Sequence, residues 1–159
     1  MSLPAPRNKV FILGESGIES ELDSEGVSYC GGTDPALRRD MTPADFSAIA
    51  SGDALDPDVG IVLAGLDMHL NYLKLSLGYH YIRRGAVFLA TNTDATFPSS
   101  GALFPGAGTV SIALINMLNG GGAAEGQASS KPLVMGKPHQ AMMDAIEGKF
   151  KFDRSKTCM

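Results

Sequence analysis

Long apolar runs are missing from this 159-residue sequence. None approaches the roughly 18 residues that a membrane-crossing helix needs. The opening MSLPAPRNK has no apolar core and does not read as a secretory signal. Cysteine is scarce: Cys30 and Cys158 stand far apart, in no metal or redox spacing, so reduced thiols in a cytoplasmic protein are expected. Basic clusters are also absent. Thirteen Lys and Arg against seventeen Asp and Glu leave a net charge of −4, which argues against a nucleic-acid surface. The sequence therefore points to neither a nucleic-acid nor a membrane partner.

Complete catalytic sets are lacking too. His69, His80 and His139 form no ligand group, and Ser16 in GESG lacks the glycine spacing of a nucleophile elbow. No metal-binding residues are assigned. What is present is a 44% hydrophobic chain of the size of one domain, or of one domain with a fragment of another.

Strand and helix signals alternate. KVFIL (Lys9 to Leu13) reads as a buried strand, followed by a short helix that Ser16 can cap and Gly26 stops. VSYCGG is a second strand, and Thr42-Pro43 looks like a cap with proline in the first turn. Asp58 to Asp67 is the clearest strand. NYLKLSLGYHYIRRG predicts a helix with Tyr72, Leu75, Tyr79 and Ile82 on one stripe and Gly85 as its stop. Ala86 to Asp94 is another strand. ATFPSSGALFPGAG reads as a long loop, TVSIALINMLNG as a helix, and GGAAEGQASSK as an exposed linker. PLVMG is a short strand and PHQAMMDAIEGKFK a helix. The class is α/β, a partly parallel sheet flanked by helices.

In such sheets chemistry gathers beyond the carboxyl ends of strands. That rule picks out Gly65-Leu66-Asp67, Thr91 to Asp94, Phe97 to Gly108, and Gly136-Lys137-Pro138. Lys137 is held between glycine and proline behind a buried strand, with a helix N-terminus near His139. It suits a phosphoryl anion; the plain alternative is a surface lysine in a strand–helix turn. PGAG (Pro105 to Gly108) is either a phosphate cradle or a tight turn packed on a helix. Asn92 and Asp94 can bind a polar substrate, hold a metal or cap a turn. Asp67 serves either as a cap for the following helix or in catalysis.

The segments KVFILGESGIESEL, VLAGLDMHLNYLKL, FLATNTDATFP, FPGAG and VMGKP occur in this order. Together they resemble the fungal 4-nitrophenylphosphatase and phosphoglycolate phosphatase group of the haloacid dehalogenase superfamily, over nearly the whole chain. The resemblance implies a C2-type cap over residues 1–130 and a partial segment of the phosphatase core over residues 131–159, ending before the fourth motif. The chain is then a piece of a Mg²⁺-dependent hydrolase of small phosphate monoesters that works through an aspartyl-phosphate. Its nucleophile and magnesium ligands would lie outside this chain, and the chain alone would be inactive.

Lys137 matches the third-motif lysine. Phe97 and Pro98 correspond to the substrate-specificity loop, with Asn92 and Asp94 at its base. Phe97 is read either as an apolar wall, where relatives often carry histidine, or as core. Such caps also carry a homodimer contact. The tail helix should leave Met142, Ile146 and Phe150 exposed, repacked or covered by a partner. Two other readings stand beside this one: a stand-alone dimerisation or binding module of the same fold, and a nucleotide-binding protein resting on PGAG.

Overall fold

The computed structural model describes residues 7–120, 131–136 and 139–150. Five strands form one parallel sheet. β1 is Lys9–Leu13, β2 Tyr29–Gly31, β3 Val59–Ala64, β4 Val87–Ala90 and β7 Leu133–Val134, in the spatial order β2-β1-β3-β4-β7. Between β4 and β7 an antiparallel pair, β5 (Thr96–Ser99) and β6 (Ala102–Pro105), makes a separate two-stranded sheet. The helices are α1 (Ser16–Ser24), α2 (Pro43–Ser51), α3 (Tyr72–Arg83), α4 (Gly108–Gly120) and α5 (Gln140–Phe150). A parallel sheet flanked by helices is the class that the alternating pattern predicts.

One face of the sheet carries most of the core. Val62, Ala64, Phe88 and Ala90 alternate toward it and are buried, together with Phe11 and Leu13 of β1. α3 packs there between α2 and α4. Gly78 of α3 lies directly over Leu13, which an added side chain would crowd, with Phe11 and Leu114 also close by. The right-handed rule for parallel crossovers sends α1 to the opposite face. That face is thinner: α1 and α5 contain no buried residue, and Val87 and Leu133 are exposed.

Several expectations need correction. Ser16 does not cap α1; it is the first helical residue behind an N-cap at Glu15 whose side chain makes no capping bond to the helix. The buried stripe on α3 is rotated by about a third of a turn from the expected one and shares Ile82 with it. Leu73, Lys74, Leu77, Gly78, Tyr81 and Ile82 face inward, whereas Tyr72 is 64% exposed. The tyrosines invite the outer reading, but Tyr72 instead meets exposed Phe46 of α2, ring centroids 6.1 Å apart. The stretch read as a long loop after Asp94 is the β5–β6 hairpin. Its turn is Ser100-Gly101, both at positive φ (49° and 80°), the geometry that tight hairpins demand.

Thr42 does form the expected cap, a full capping box with Asp45, and Gly85 ends α3 at φ 91°. α5 has half-buried Met142 and Ile146 and a 69% exposed Phe150. Most of the linker read after Gly120 lies outside the described residues.

Cys30 sits half-buried in β2. Burial first, and the nearby Asp56 carboxylate second, push its thiol up to about 11. Its thiolate is therefore scarce near neutrality. Peptide mapping after iodoacetamide treatment should find Cys30 alkylated on the order of tenfold to a hundredfold more slowly in the native chain than in urea.

Candidate functional site

Because the five strands run parallel, their carboxyl ends share one edge. Backbone hydrogen bonds close that edge strand by strand: Gly65 N to Leu13 O at 2.8 Å, Thr91 N to Ala64 O at 2.9 Å, Met135 N to Ala90 O at 2.9 Å. Gly136 follows at once, so close to the Thr91 carbonyl that a Cβ would collide with it. The edge thus joins the segment after β3, Thr91 to Asp94, and Gly136. Lys137 and Pro138 themselves lie outside the described residues; of their neighbours, His139 N donates to Gly136 O at 3.1 Å.

The hairpin is rooted at the same place. Gly106 N donates to Ala95 O (2.8 Å) and Gly108 N to Asp94 O (2.9 Å). Those amides are occupied, which favours the tight-turn reading of PGAG over a phosphate cradle. Asn92 accepts from the Asp94 amide at 3.0 Å, closing a local turn; Asn92 is half-buried and Asp94 exposed. Phe97 stands outside the buried core. It is half-buried against Phe104, its register partner across the hairpin, with ring centroids 6.1 Å apart. Pro98 is exposed opposite Leu103, itself 71% exposed.

The largest surprise is beside β1. Lys74 and Asp67 are fully buried side chains joined at 2.8 Å. Asp67 does not cap α3; Asn71 does, accepting from Lys74 N at 2.9 Å. The second oxygen of Asp67 accepts the His69 amide at 2.9 Å, which sets the β3–α3 loop. That loop then grips the end of β1. Glu15 accepts the Met68 amide at 2.9 Å, and its carboxylate lies 3.2 Å from His69 Nδ1 and 3.9 Å from Arg38. Partial burial works to raise the Glu15 carboxyl. The hydrogen bonds from His69 and Met68, with the charges of His69 and Arg38, outweigh it and hold the group below its ordinary value.

Glu15, Asp67 and His69 each offer a ligand atom, all within 4.8 Å of one another. Sequence reading grouped none of them, because Glu15 and His69 are 54 residues apart. Magnesium does not fit this group. The Lys74 ammonium already stands where a cation would neutralise Asp67, and a hard cation wants a shell of oxygens rather than an imidazole.

Next to this corner is a cleft of about 520 Å³. Ile18, Leu22, Leu63 and Leu66 form its floor, and Glu15, Glu21, Thr91 and Asn92 its polar rim. It is the place where the strand order reverses between β1 and β3, the location that ligands favour in such sheets.

No family profile matches the chain. Among curated proteins, the 4-nitrophenylphosphatase of Schizosaccharomyces pombe is 43% identical over 159 residues, covering 99% of this chain and 48% of that protein. The chloroplastic phosphoglycolate phosphatase 1A of Arabidopsis thaliana is 35% identical, covering 99% of this chain and 41% of its own length. Among solved structures, glycerol phosphate phosphatase from Mycobacterium tuberculosis, in complex with magnesium, superposes with a TM-score of 0.62 at 26% identity, over 94% of this chain and 36% of that one. The chain spans about half the length of the curated relatives it matches.

Two expectations follow from the corner. Lys74→Met strands a buried carboxylate and should cost about 3–5 kcal/mol in urea unfolding, while Asp67→Asn combined with Lys74→Met should cost less than the sum of the single changes. The second concerns acid. A carboxyl depressed on folding stabilises above its ordinary value of 4.5 and loses that contribution as pH falls through the lower folded value. Wild type should therefore exceed Glu15→Gln in urea midpoint above that pH, and the gap should close below it.

Proposed function

We propose that this chain, which belongs to the 4-nitrophenylphosphatase and phosphoglycolate phosphatase group of the haloacid dehalogenase superfamily, is the cap-containing portion of a phosphatase acting on small phosphate monoesters. The observation that carries this reading is similarity along 99% of the chain to two phosphatases named for such esters. Residues 1–130 are the cap and residues 131–159 a partial segment of the core. β7, paired with β4 at the end of the same sheet, delivers Gly136 to the carboxyl edge, which suits a chain passing on from lid to catalytic body.

Lys137 then follows that glycine, and its ammonium offsets charge on a phosphoryl group during transfer. An aspartate outside this chain attacks phosphorus, the ester P–O bond breaks, and a second acid protonates the departing alcohol. Water then frees phosphate from the aspartate. Magnesium, held by residues outside this chain, would neutralise charge on the phosphoryl oxygens. The cap excludes water on closing. Asn92, Asp94, Phe97 and Pro98 form the wall that meets the rest of the substrate.

Self-association through the cap agrees with its exposed apolar positions, Leu103 at 71% and Ile112 at 50%. The same surface favours the second reading, a non-catalytic dimerisation or binding module. Among the described residues no helix is long and apolar enough to cross a membrane. A cytoplasmic setting fits the wide separation of the two cysteines.

Without a nucleophile the chain alone should not turn over 4-nitrophenyl phosphate with Mg²⁺ above a Lys137→Ala control. In a full-length protein carrying it, Lys137→Ala should lower kcat by about a hundredfold or more, in the range seen when one charge-stabilising donor is removed. Wild-type rates in that variant would remove Lys137 from the mechanism. A stable dimer in light scattering with no detectable phosphate binding would favour the binding module.

A further inference from the structure

We infer that the cleft between α1 and the carboxyl ends of β3 and β4 accepts the organic part of the ligand, and that it takes neutral or cationic groups while rejecting anionic ones. As to biological role, this rests on the phosphatase reading; the binding property itself does not. Three observations carry it.

The first is placement. The cleft opens where the strand order reverses, and Thr91 and Asn92 on its rim adjoin Gly136, next to Lys137 in sequence. A group held there extends away from an anion gripped at the end of β7.

The second is surface. Ile18 and Leu22 come from one side of α1, and Leu63 and Leu66 from β3 and its exit, so the floor is continuous hydrocarbon. About 520 Å³ is room for a single aromatic ring or a short branched alcohol.

The third is charge. Among the described residues, the lining holds two carboxylates, Glu15 and Glu21, and no cationic side chain. Glu15 is kept ionised by the His69 and Met68 contacts, and Arg38 reaches it at 3.9 Å without lining the cleft. A carboxylate-bearing ligand would approach Glu21 and a Glu15 whose charge Arg38 partly offsets, and would find no cationic side chain in the lining to pair with. A hydroxyl or ammonium would find acceptors. The cleft thus separates two substrate types that the relatives' names leave side by side: aryl or alkyl phosphates are admitted, and phosphorylated hydroxy acids are disfavoured.

The test uses the 159-residue chain and three ligands of one shape: benzyl alcohol, benzylamine and benzoate. NMR titration should show saturable shifts at the Ile18, Leu66 and Thr91 amides with the first two. Benzoate should bind about tenfold more weakly, the size of effect expected from a partly solvated like charge a few ångströms away. Glu21→Gln, an exposed helical position that disturbs no core contact, should narrow that gap. Leu22→Trp should fill the floor and abolish all three, with Leu22→Phe as a milder replacement should the tryptophan variant not fold. Benzoate binding as tightly as benzyl alcohol, a gap unaltered by Glu21→Gln, or no binding by any ligand would overturn the inference. None of these outcomes bears on turnover, so the phosphatase reading stands or falls by the Lys137 assay alone.

Discussion

The buried pair of Lys74 and Asp67 is the constraint on which this edge depends. Two charges withdrawn from water cost more than their attraction returns unless further polar atoms are satisfied. Here they are. Asp67 spends one oxygen on the ammonium and the other on the His69 amide. The result is a loop with little freedom, and its next residues reach Glu15 through one amide and one imidazole. The ends of β1 and β3 are thereby tied across the point where strand order reverses. A hydrophobic pair could fill the same volume but could not aim the His69 amide. The ion pair is better understood as shaping the edge than as adding stability.

That geometry explains why the cleft exists. The core face of the sheet is covered by α3 with α2 and α4 packed against it, leaving little room for a ligand. The other face carries α1 and α5, neither with a buried residue. Binding surface is available on the side where packing is thin. The carboxyl edge supplies polar groups to that side, because parallel strands bring every βα turn to one end.

Much of the architecture is legible in the residues. β-branched runs such as KVFIL and VGIVLA mark buried strands, and Thr42-Pro43 with Asp45 marks a helix start. These signals are local, and local physics decides them. The α3 face misled, because tyrosines look apolar in a pattern while a lysine looks exposed. Lys74 lies inside only because Asp67, seven residues back, meets it there. The hairpin was hidden by Pro98 and Pro105, residues that weaken any strand signal and are tolerated here in a two-stranded ribbon lacking a central strand. The site was half visible. The rule about strand ends selects Asp67, Asn92 and Gly136 correctly as neighbours on one edge. Glu15 and His69 carry no signal of their pairing, since only the β1–β3 register joins them.

The hairpin is fastened at its root and free along its length. Gly106 and Gly108 press against the Asp94 and Thr93 carbonyls so tightly that no side chain fits. Beyond that clasp, every residue of β6 is exposed. Changes at the tip therefore cannot propagate into the sheet, whereas changes at the glycines must. Such an appendage behaves as an interchangeable bit in a fixed chuck: descendants of this chain can vary its length and chemistry freely while the socket stays the same.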